Sequence, residues 1–395
     1  MGINNCLEFI RKKYPHLLEI AHISSYAYQR VIVDIASYVY KFACVYGLGT
    51  RQWTDSFIQL LLQFKTNRVH PVVVFDGKAP KQKSEELKER RDKKQQNISK
   101  VQLLESCLQA VRSGTYSEEQ YTTLNDYAMT LESKGKLTST KRLLIDEEPS
   151  VKLTPFQLDQ IESQINRLRN TVVNVTPEHT KYMKEILTML GIPYLDAEGE
   201  AEDYCCFLVR KGFGSAVVSY DTDCIAHLAT NIIFKMDTFS GEILHCNTAA
   251  LLEEWKLNKD SIKDFAILVG CDYNRKHKAK QIGTNVGPVT AIEWLQTHGS
   301  IEHISGLQID NDELKTMRDL FQIEYHIAED FCIPSLTPNL IKCGEFISSG
   351  KCAEKVLYQL EDCMKPSTIC LLQTDEEDGE IENKQLGEIV DENDN

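Results

Sequence analysis

Three short runs rich in β-branched residues each lead into an aspartate: Arg30-Val31-Ile32-Val33-Asp34, Pro71-Val72-Val73-Val74-Phe75-Asp76-Gly77 and Ser215-Ala216-Val217-Val218-Ser219-Tyr220-Asp221. Continuous apolar runs of this length, separated by helical patterns, predict buried parallel strands. The helical patterns run from Trp53 to Phe64 before the second strand and from Ala201 to Lys211 before the third. Such alternation predicts an α/β fold, a parallel twisted sheet flanked by helices. In sheets of this kind the functional crevice lies beyond the carboxyl ends of the strands, where the three aspartates stand. A single strand-end aspartate is ordinarily a turn residue or a helix cap. Three in one chain call for a common explanation.

Four more acids extend the pattern. Glu200 and Glu202, in Glu200-Ala201-Glu202, open a helix; Asp223 follows Asp221 in Asp221-Thr222-Asp223; Asp272 follows the apolar stretch Phe265 to Val269. Acids in a first helical turn also have a plain explanation in the helix dipole. Seven carboxylates brought together would repel one another, and the remedy is a hard cation such as Mg²⁺ or Mn²⁺, which takes oxygen ligands and keeps water. Two such ions can activate a water and stabilise the leaving oxygen of a phosphodiester. No Ser-His-Asp or Cys-His arrangement competes, and the ten histidines include no His-Glu-x-x-His pair.

The formal charge of −14 looks wrong for a nucleic-acid partner until its distribution is counted. Residues 375–395 hold ten acids and one lysine, net −9, whereas Lys78 to Lys100 holds nine basic and four acidic residues, net +5. The basic stretch is a candidate nucleic-acid footprint or, more simply, a solvated helix face. The 13 cysteines include no Cys-x-x-Cys, which argues for a reducing compartment and against a disulfide framework or zinc site. There is no apolar run of membrane-spanning length and no signal-peptide pattern, and Cys6 stands where an N-myristoylation signal needs Ser or Thr. These features predict an intracellular protein with no membrane partner.

Beyond the strands, Lys83 to Leu108 reads as a charged helix. Residues 115–170 are polar, with a helix start at Thr154-Pro155-Phe156, and Thr176-Pro177-Glu178 opens a further helix that should end at Gly191. The acidic tail after about Thr374 reads as disordered.

Taken in order, Met1-Gly2-Ile3, Val33-Asp34, Val74-Phe75-Asp76-Gly77-Lys78, Glu200-Ala201-Glu202, Asp221-Thr222-Asp223, Gly270-Cys271-Asp272-Tyr273 and Val286-Gly287-Pro288 resemble the motifs of the flap endonuclease and XPG-type 5′ nucleases. The resemblance spans roughly residues 1–100 and 175–300 and is that of a divergent member, of the sort a large DNA virus carries. It implies a 5′-nuclease core, a helical arch and a helix-hairpin that grips duplex DNA. It implies that Asp34, Asp76, Glu200 and Glu202 hold one Mg²⁺, with Glu202 shared, and that Asp221, Asp223 and Asp272 hold a second, Mn²⁺ being able to substitute. Lys83 and Arg90, seven apart and so on one helix face, match catalytic cations at the base of the arch. Tyr40 matches an aromatic that stacks on a base, although Val39 and Phe42 beside it also suit core packing. Gly2 matches a residue whose chain end lies close to the site, although a small residue there also merely permits removal of Met1. Gly287 and Pro288 match the hairpin turn on duplex backbone, which in this family can hold K⁺, and Arg275, Lys276, Lys278 and Lys280 just upstream extend the basic surface.

The expected organisation is an N-terminal nuclease region at 1–108, an arch or cap insertion at 109–170, an internal nuclease region with the hairpin at 171–350, and a C-terminal extension at 351–395. The expected function is structure-specific hydrolysis of DNA near single-strand/double-strand junctions, as at 5′ flaps, in replication, repair or recombination. The alternatives are a four-way-junction resolvase, a 5′–3′ exonuclease, or a silent scaffold on branched DNA. The nucleus is the expected compartment, or the host nucleus or cytoplasm for a viral chain. Three departures stand out: Gly47 sits where many flap endonucleases have Arg, residues 109–170 exceed the usual arch, and no pair of aromatics follows Gln385 to make a sliding-clamp motif.

Overall fold

A computed structural model describes residues 2–137, 153–273, 286–307, 310–328 and 330–363. Its strands are β1 (Glu19–His22), β2 (Arg30–Asp34), β3 (His70–Phe75), β4 (Tyr194–Asp196), β5 (Ala216–Val218), β6 (Asn231–Met236) and β7 (Glu242–Asn247), in the sheet order β1-β7-β6-β5-β2-β3-β4. From β6 through β5, β2 and β3 to β4 every pairing is parallel. The predicted parallel sheet is therefore present, and at one edge β7 and β1 extend it in antiparallel fashion.

The period of two along the central strands sends side chains to opposite faces. Ile32, Val72, Val74 and Val217 enter one core, while Val31, Val33, Val73, Phe75 and Val218 enter the other. Full burial of each such side chain is worth roughly 1.5–3 kcal/mol. A one-residue slip would exchange the two sets, so this pattern fixes the register in which the strand-end acids emerge.

The helices among the described residues begin with α1 (Cys6–Lys13), α2 (Ile35–Tyr46), α3 (Arg51–Thr66), α4 (Ser84–Ser113), α5 (Glu118–Ser133), α6 (Pro155–Asn170) and α7 (Pro177–Met189). They continue with α8 (Ala201–Arg210), α9 (Asp223–Ala226), α10 (Thr248–Trp255), α11 (Ser261–Val269), α12 (Pro288–His298), α13 (Asn311–Leu320), α14 (Leu340–Ser348) and α15 (Glu354–Cys363). Residues of α1 and α8–α13 pack on one face of the sheet, and residues of α2, α3, α7, α14 and α15 on the other. The helix starts at Thr154-Pro155 and Thr176-Pro177 are present, each with proline in the first turn. None of the described helices is long and apolar enough to cross a membrane.

Helices α4, α5 and α6 form a unit with its own apolar core, built from Val101, Leu104, Leu108, Leu124, Leu131, Leu158, Ile161 and Ile165 among others. The expected boundary at 108/109 falls inside α4, whose half beyond Val101 supplies residues to this core. The charged first half of α4 obscures the reason: Val101, Leu104 and Leu108 recur at helical spacing on one face and need partners. The unit returns to the body where the side-chain amide of Asn170 faces the Val45 carbonyl at 3.5 Å, and Lys94 Nζ donates to the Val173 carbonyl at 2.7 Å. The Arg275–Lys280 cluster, most of the hairpin turn through Asn285, and the acidic tail lie outside the described residues.

Candidate active site

Strands β5 and β3 flank β2 in the sheet, while the chain passes from β2 to β3 and only later returns to β5. That reversal opens a crevice at the carboxyl ends of β2 and β5. Asp34, the last residue of β2, caps α2: Oδ1 accepts from the Ala36 N–H at 3.1 Å, and Oδ2 accepts from the Ser37 and Ser219 hydroxyls, each at 2.8 Å. Asp76, just past β3, caps α8 by accepting from the Ala201 N–H at 2.9 Å, which brings Glu200 and Glu202 to the strand ends. The two loops are tied by Gly77 N–H to Gly199 C=O at 2.8 Å and Lys78 N–H to Glu198 C=O at 3.1 Å. A Cβ on Gly77 would lie 2.0 Å from the Ala197 carbonyl oxygen, so only glycine fits this approach.

After β5 the chain turns through Asp221-Thr222-Asp223, with the Asp223 N–H donating to Asp221 Oδ1 at 3.1 Å. The N-terminal segment packs against this turn. Gly2 has φ +80°, and a Cβ there would fall 2.0 Å from Asp221 Oδ1. Asn4 is stapled to the turn that carries Asp272, through its N–H to the Gly270 carbonyl at 2.9 Å and its side-chain amide to the Val269 carbonyl at 3.1 Å.

Asp34, Asp76, Glu200, Glu202 and Asp221 line one cavity of about 240 Å³, together with Tyr40, Lys83 and Arg90. Asp223 and Asp272 are buried next to them and feel the same charges. All seven predicted acids thus converge. Burial first, then Asp76, pushes the Asp34 carboxyl up to about 7 against the pull of its two serine hydrogen bonds. Glu202 and Asp223 are raised well above the usual carboxylate range by burial and, next, by Asp221.

The two cations sit differently from the arrangement the resemblance implies. Lys83 Nζ is 2.5 Å from Glu200 Oε1, 3.6 Å from Asp272 Oδ2 and 3.9 Å from Glu202 Oε1. Burial pulls its pKa down, but Glu202, Glu200 and Asp272 more than offset that and hold it above the ordinary lysine value. Arg90 pairs with Glu86 and, at 3.1 Å, with Asp272. Buried carboxylates draw the nearest cations, so the acids rather than open solvent receive both side chains. Among the described residues no set of three or more His, Cys, Asp or Glu side chains stands as a ready metal cage. The donor set nonetheless suits a hard divalent cation. It is all oxygen, and both carboxylate oxygens of Asp223 and Oε1 of Glu202 are buried without a hydrogen-bond partner.

Tyr40 is 47% exposed on the cavity wall, which rules out the core-packing alternative for it. Gly287 and Pro288 open α12 and are not among the residues that line the cavity. Gly287 has φ −76° and open space around a Cβ, so the turn itself does not demand glycine there. Several contributors escaped sequence reasoning. Tyr273 donates its hydroxyl to Glu200 Oε2 at 2.9 Å, Ser37 and Ser219 hold Asp34, and Glu86 holds Arg90. Ser37 and Glu86 stand three and four residues from their partners, a helical spacing that could have flagged them. Ser219 carries no such signal.

A pH prediction follows from Asp34. Its carboxyl titrates near 7 in the folded chain against an ordinary 3.8, so the folded state binds more protons across that window. Stability from this group is present below about pH 4 and is lost as pH rises through 7. In EDTA, wild-type stability should therefore carry a falling component on the order of 4 kcal/mol between those limits, and Asp34→Asn should remove it. Parallel urea or thermal unfolding series across pH measure the difference; identical slopes would contradict the assignment.

Comparison with known proteins finds relatives both by sequence and by fold. The XPG N-terminal domain matches residues 1–97 and the XPG I-region matches residues 191–272. A probable RAD2-like endonuclease, 076L, of Invertebrate iridescent virus 3 is 28% identical over 326 residues, covering 77% of this chain and 81% of its own length. Flap endonuclease 1 of Homo sapiens is 25% identical over 322 residues, covering 77% and 68%. Among solved structures, the catalytic core of Rad2 in complex with DNA substrate shares the fold with a TM-score of 0.60 at 16% identity, covering 91% of this chain and 99% of that one. Flap endonuclease-1 from Methanococcus jannaschii does so with a TM-score of 0.55 at 18% identity, covering 90% and 96%. The chain thus matches both the XPG N-terminal domain and the XPG I-region, and its relatives by sequence include a probable RAD2-like endonuclease and flap endonucleases.

Proposed function

We propose that this chain is a structure-specific DNA endonuclease that hydrolyses phosphodiesters beside single-strand/double-strand junctions with the help of divalent cations. The observation that carries the reading is the convergence of seven carboxylates at the strand ends, with buried Asp223 and Glu202 oxygens left unpartnered. Its relatives by sequence are named as endonucleases, and a solved neighbour by fold is bound to DNA substrate.

Asp34, Asp76, Glu200 and Glu202 would hold one Mg²⁺ or Mn²⁺, and Asp221, Asp223 and Asp272 a second. Bound cations of this kind supply a water nucleophile at neutral pH and charge stabilisation for the leaving oxygen. The chain's own side chains do the rest. Tyr273 and Ser37 orient Glu200 and Asp34 through their hydroxyls. Tyr40 offers a ring on which an unpaired base can stack. With the acids otherwise neutralised, the Lys83 ammonium and Arg90 guanidinium are free to face the scissile phosphate and its developing charge. The turn at Gly287 and Pro288 presents the start of α12, whose amides suit a duplex phosphate.

Flap, nick, gap, four-way and RNA-containing substrates, end-labelled and resolved to the nucleotide in Mg²⁺, test the reading. Cuts at the flap junction are expected. Paired symmetrical cuts in the four-way substrate would replace flap cleavage with junction resolution, stepwise shortening from an end would indicate an exonuclease, and metal-dependent binding without cleavage would leave a scaffold. Lys83→Ala should lower the single-turnover rate about 10²–10³-fold at saturating enzyme, with a smaller loss of affinity. Full recovery of the rate at saturation would reduce Lys83 to a phosphate anchor.

A further inference from the structure

Behind the carboxylates lies a second polar cluster that the proposed reaction does not use. Asp203 immediately follows Glu202 on α8, is 2% exposed, and is not among the residues that line the cavity. Its Oδ2 accepts from the Tyr325 hydroxyl at 2.9 Å, and its Oδ1 lies 3.1 Å from His227 Nδ1. His227 directly follows α9, is fully buried, and donates its backbone N–H to the Asp223 carbonyl at 2.9 Å. The Asp203–His227 approach is a contact at ion-pair distance rather than an aligned hydrogen bond. A path of adjacent residues and polar contacts thus runs from Glu202 through Asp203 and His227 to Asp223.

We propose that Tyr325, Asp203 and His227 act as a positioning strut. It fixes the spacing between α8, which carries Glu202, and α9, which carries Asp223, and so sets how tightly the carboxylate cluster takes a divalent cation. The proposal rests on the functional reading above.

The physical need is clear. Acids on facing helices repel, and nothing within the cavity holds Asp223, whose two oxygens lack partners. A ligand set loses affinity when its spacing drifts by more than about 0.5 Å, so restraint must come from outside it. The segment after α13 supplies that restraint at several points. The Tyr325 ring meets Tyr204 edge-on at 4.9 Å and Phe207 at 5.3 Å, both on α8. Its hydroxyl closes on Gly199, where a Cβ would come within 2.9 Å. Four residues earlier, the Phe321 ring meets His227 at 5.2 Å and Tyr273 at 5.4 Å, and Tyr273 in turn holds Glu200. One short stretch therefore backs α8, α9 and the turn bearing Asp272. A buried polar cluster that served only the fold would show the same burial, so the test must separate stability from cation affinity.

The test uses the full-length chain without DNA. Mn²⁺ binding is followed by the loss of the free-ion electron paramagnetic resonance signal, and unfolding is followed in EDTA. Tyr325→Phe removes one hydroxyl, and His227→Gln removes the ring while keeping a polar group. Each should weaken Mn²⁺ binding about tenfold, at the low end of the 10–100-fold typical of groups that orient metal ligands, with little change in the unfolding midpoint. The Mg²⁺ concentration for half-maximal cleavage should rise in step, and saturating Mg²⁺ should restore the rate. Unchanged Mn²⁺ affinity in Tyr325→Phe, with or without a lower midpoint, would overturn the strut. Should His227→Gln fail to fold, the milder tyrosine variant decides alone. A wild-type chain that binds no Mn²⁺ would remove the functional reading itself, whereas binding in wild type and equal binding in the variants would remove only the strut.

Discussion

Asp223→Ala should abolish cleavage almost completely while leaving DNA binding intact. Asp223 is fully buried, and neither of its carboxylate oxygens has a hydrogen-bond partner, so it serves no structural bond that the protein would miss. If it holds a catalytic cation, its removal forfeits several kcal/mol of transition-state charge stabilisation, and about 4 kcal/mol is about a thousandfold in rate. EDTA should do the same to the wild type, with Mg²⁺ or Mn²⁺ restoring activity. The stability effect should have the opposite sign. Burial and the Asp221 and Asp272 charges keep the Asp223 carboxyl well above its usual range, so the folded, metal-free chain is strained by it at neutral pH. Asp223→Ala should unfold at a higher temperature than wild type in EDTA at pH 7.5. Single-turnover rates beside unfolding midpoints measure both, and cleavage that survives EDTA would sink the metal-dependent mechanism.

Gly2→Ala should cost at least about 10² in single-turnover rate, the scale of loss from a displacement near 1 Å at a reacting centre. The new methyl group would overlap Asp221 Oδ1 at 2.0 Å and press on the backbone nitrogens of Asp223 and Thr222 at 2.7 and 2.8 Å. Either the chain start or the acidic turn must move. Gly49→Ala is the control, since Gly49 has a similar positive φ of +76° but meets only His179, at 3.7 Å. Backbone strain alone would lower the stability of both variants and the activity of neither. Equal activity in the two variants would show that the chain start does not position Asp221.

The central strands were legible because they are buried on both faces, which leaves unbroken apolar runs such as Val72-Val73-Val74. β4 and β7 are only partly buried and interrupt their apolar residues with Asp196, His245 and Asn247, so they offer no comparable run, whereas β6 does offer one, Ile232-Ile233-Phe234, that sequence reasoning passed over. The acids were legible for a related reason: a carboxylate that ends a buried strand, or opens the helix beside it, has few places to go. What the sequence hides is pairing between distant residues. Nothing local ties Ser219 to Asp34 across 185 positions, or Tyr325 to Asp203 across 122. Nor does the +5 stretch from Lys78 to Lys100 reveal that Lys83, just before α4, and Arg90 on it turn inward to the acids while the far end of α4 builds a separate core.

That separate core has consequences for how such a protein can change. The half of α4 beyond Val101 packs with α5 and α6 through Leu104, Leu124 and Ile161, in a cluster separate from those on the sheet. Val33 and Asp34, by contrast, are neighbours in one strand, the first a core residue and the second an acid of the cavity. The carboxylate cluster is thus welded to the fold and has almost no room to drift. The far end of the three-helix unit is closer to an exchangeable fitting, open to lengthening or shortening beyond Val101, whereas its base, with Glu86 on Arg90 and Arg90 on Asp272, belongs with the carboxylates.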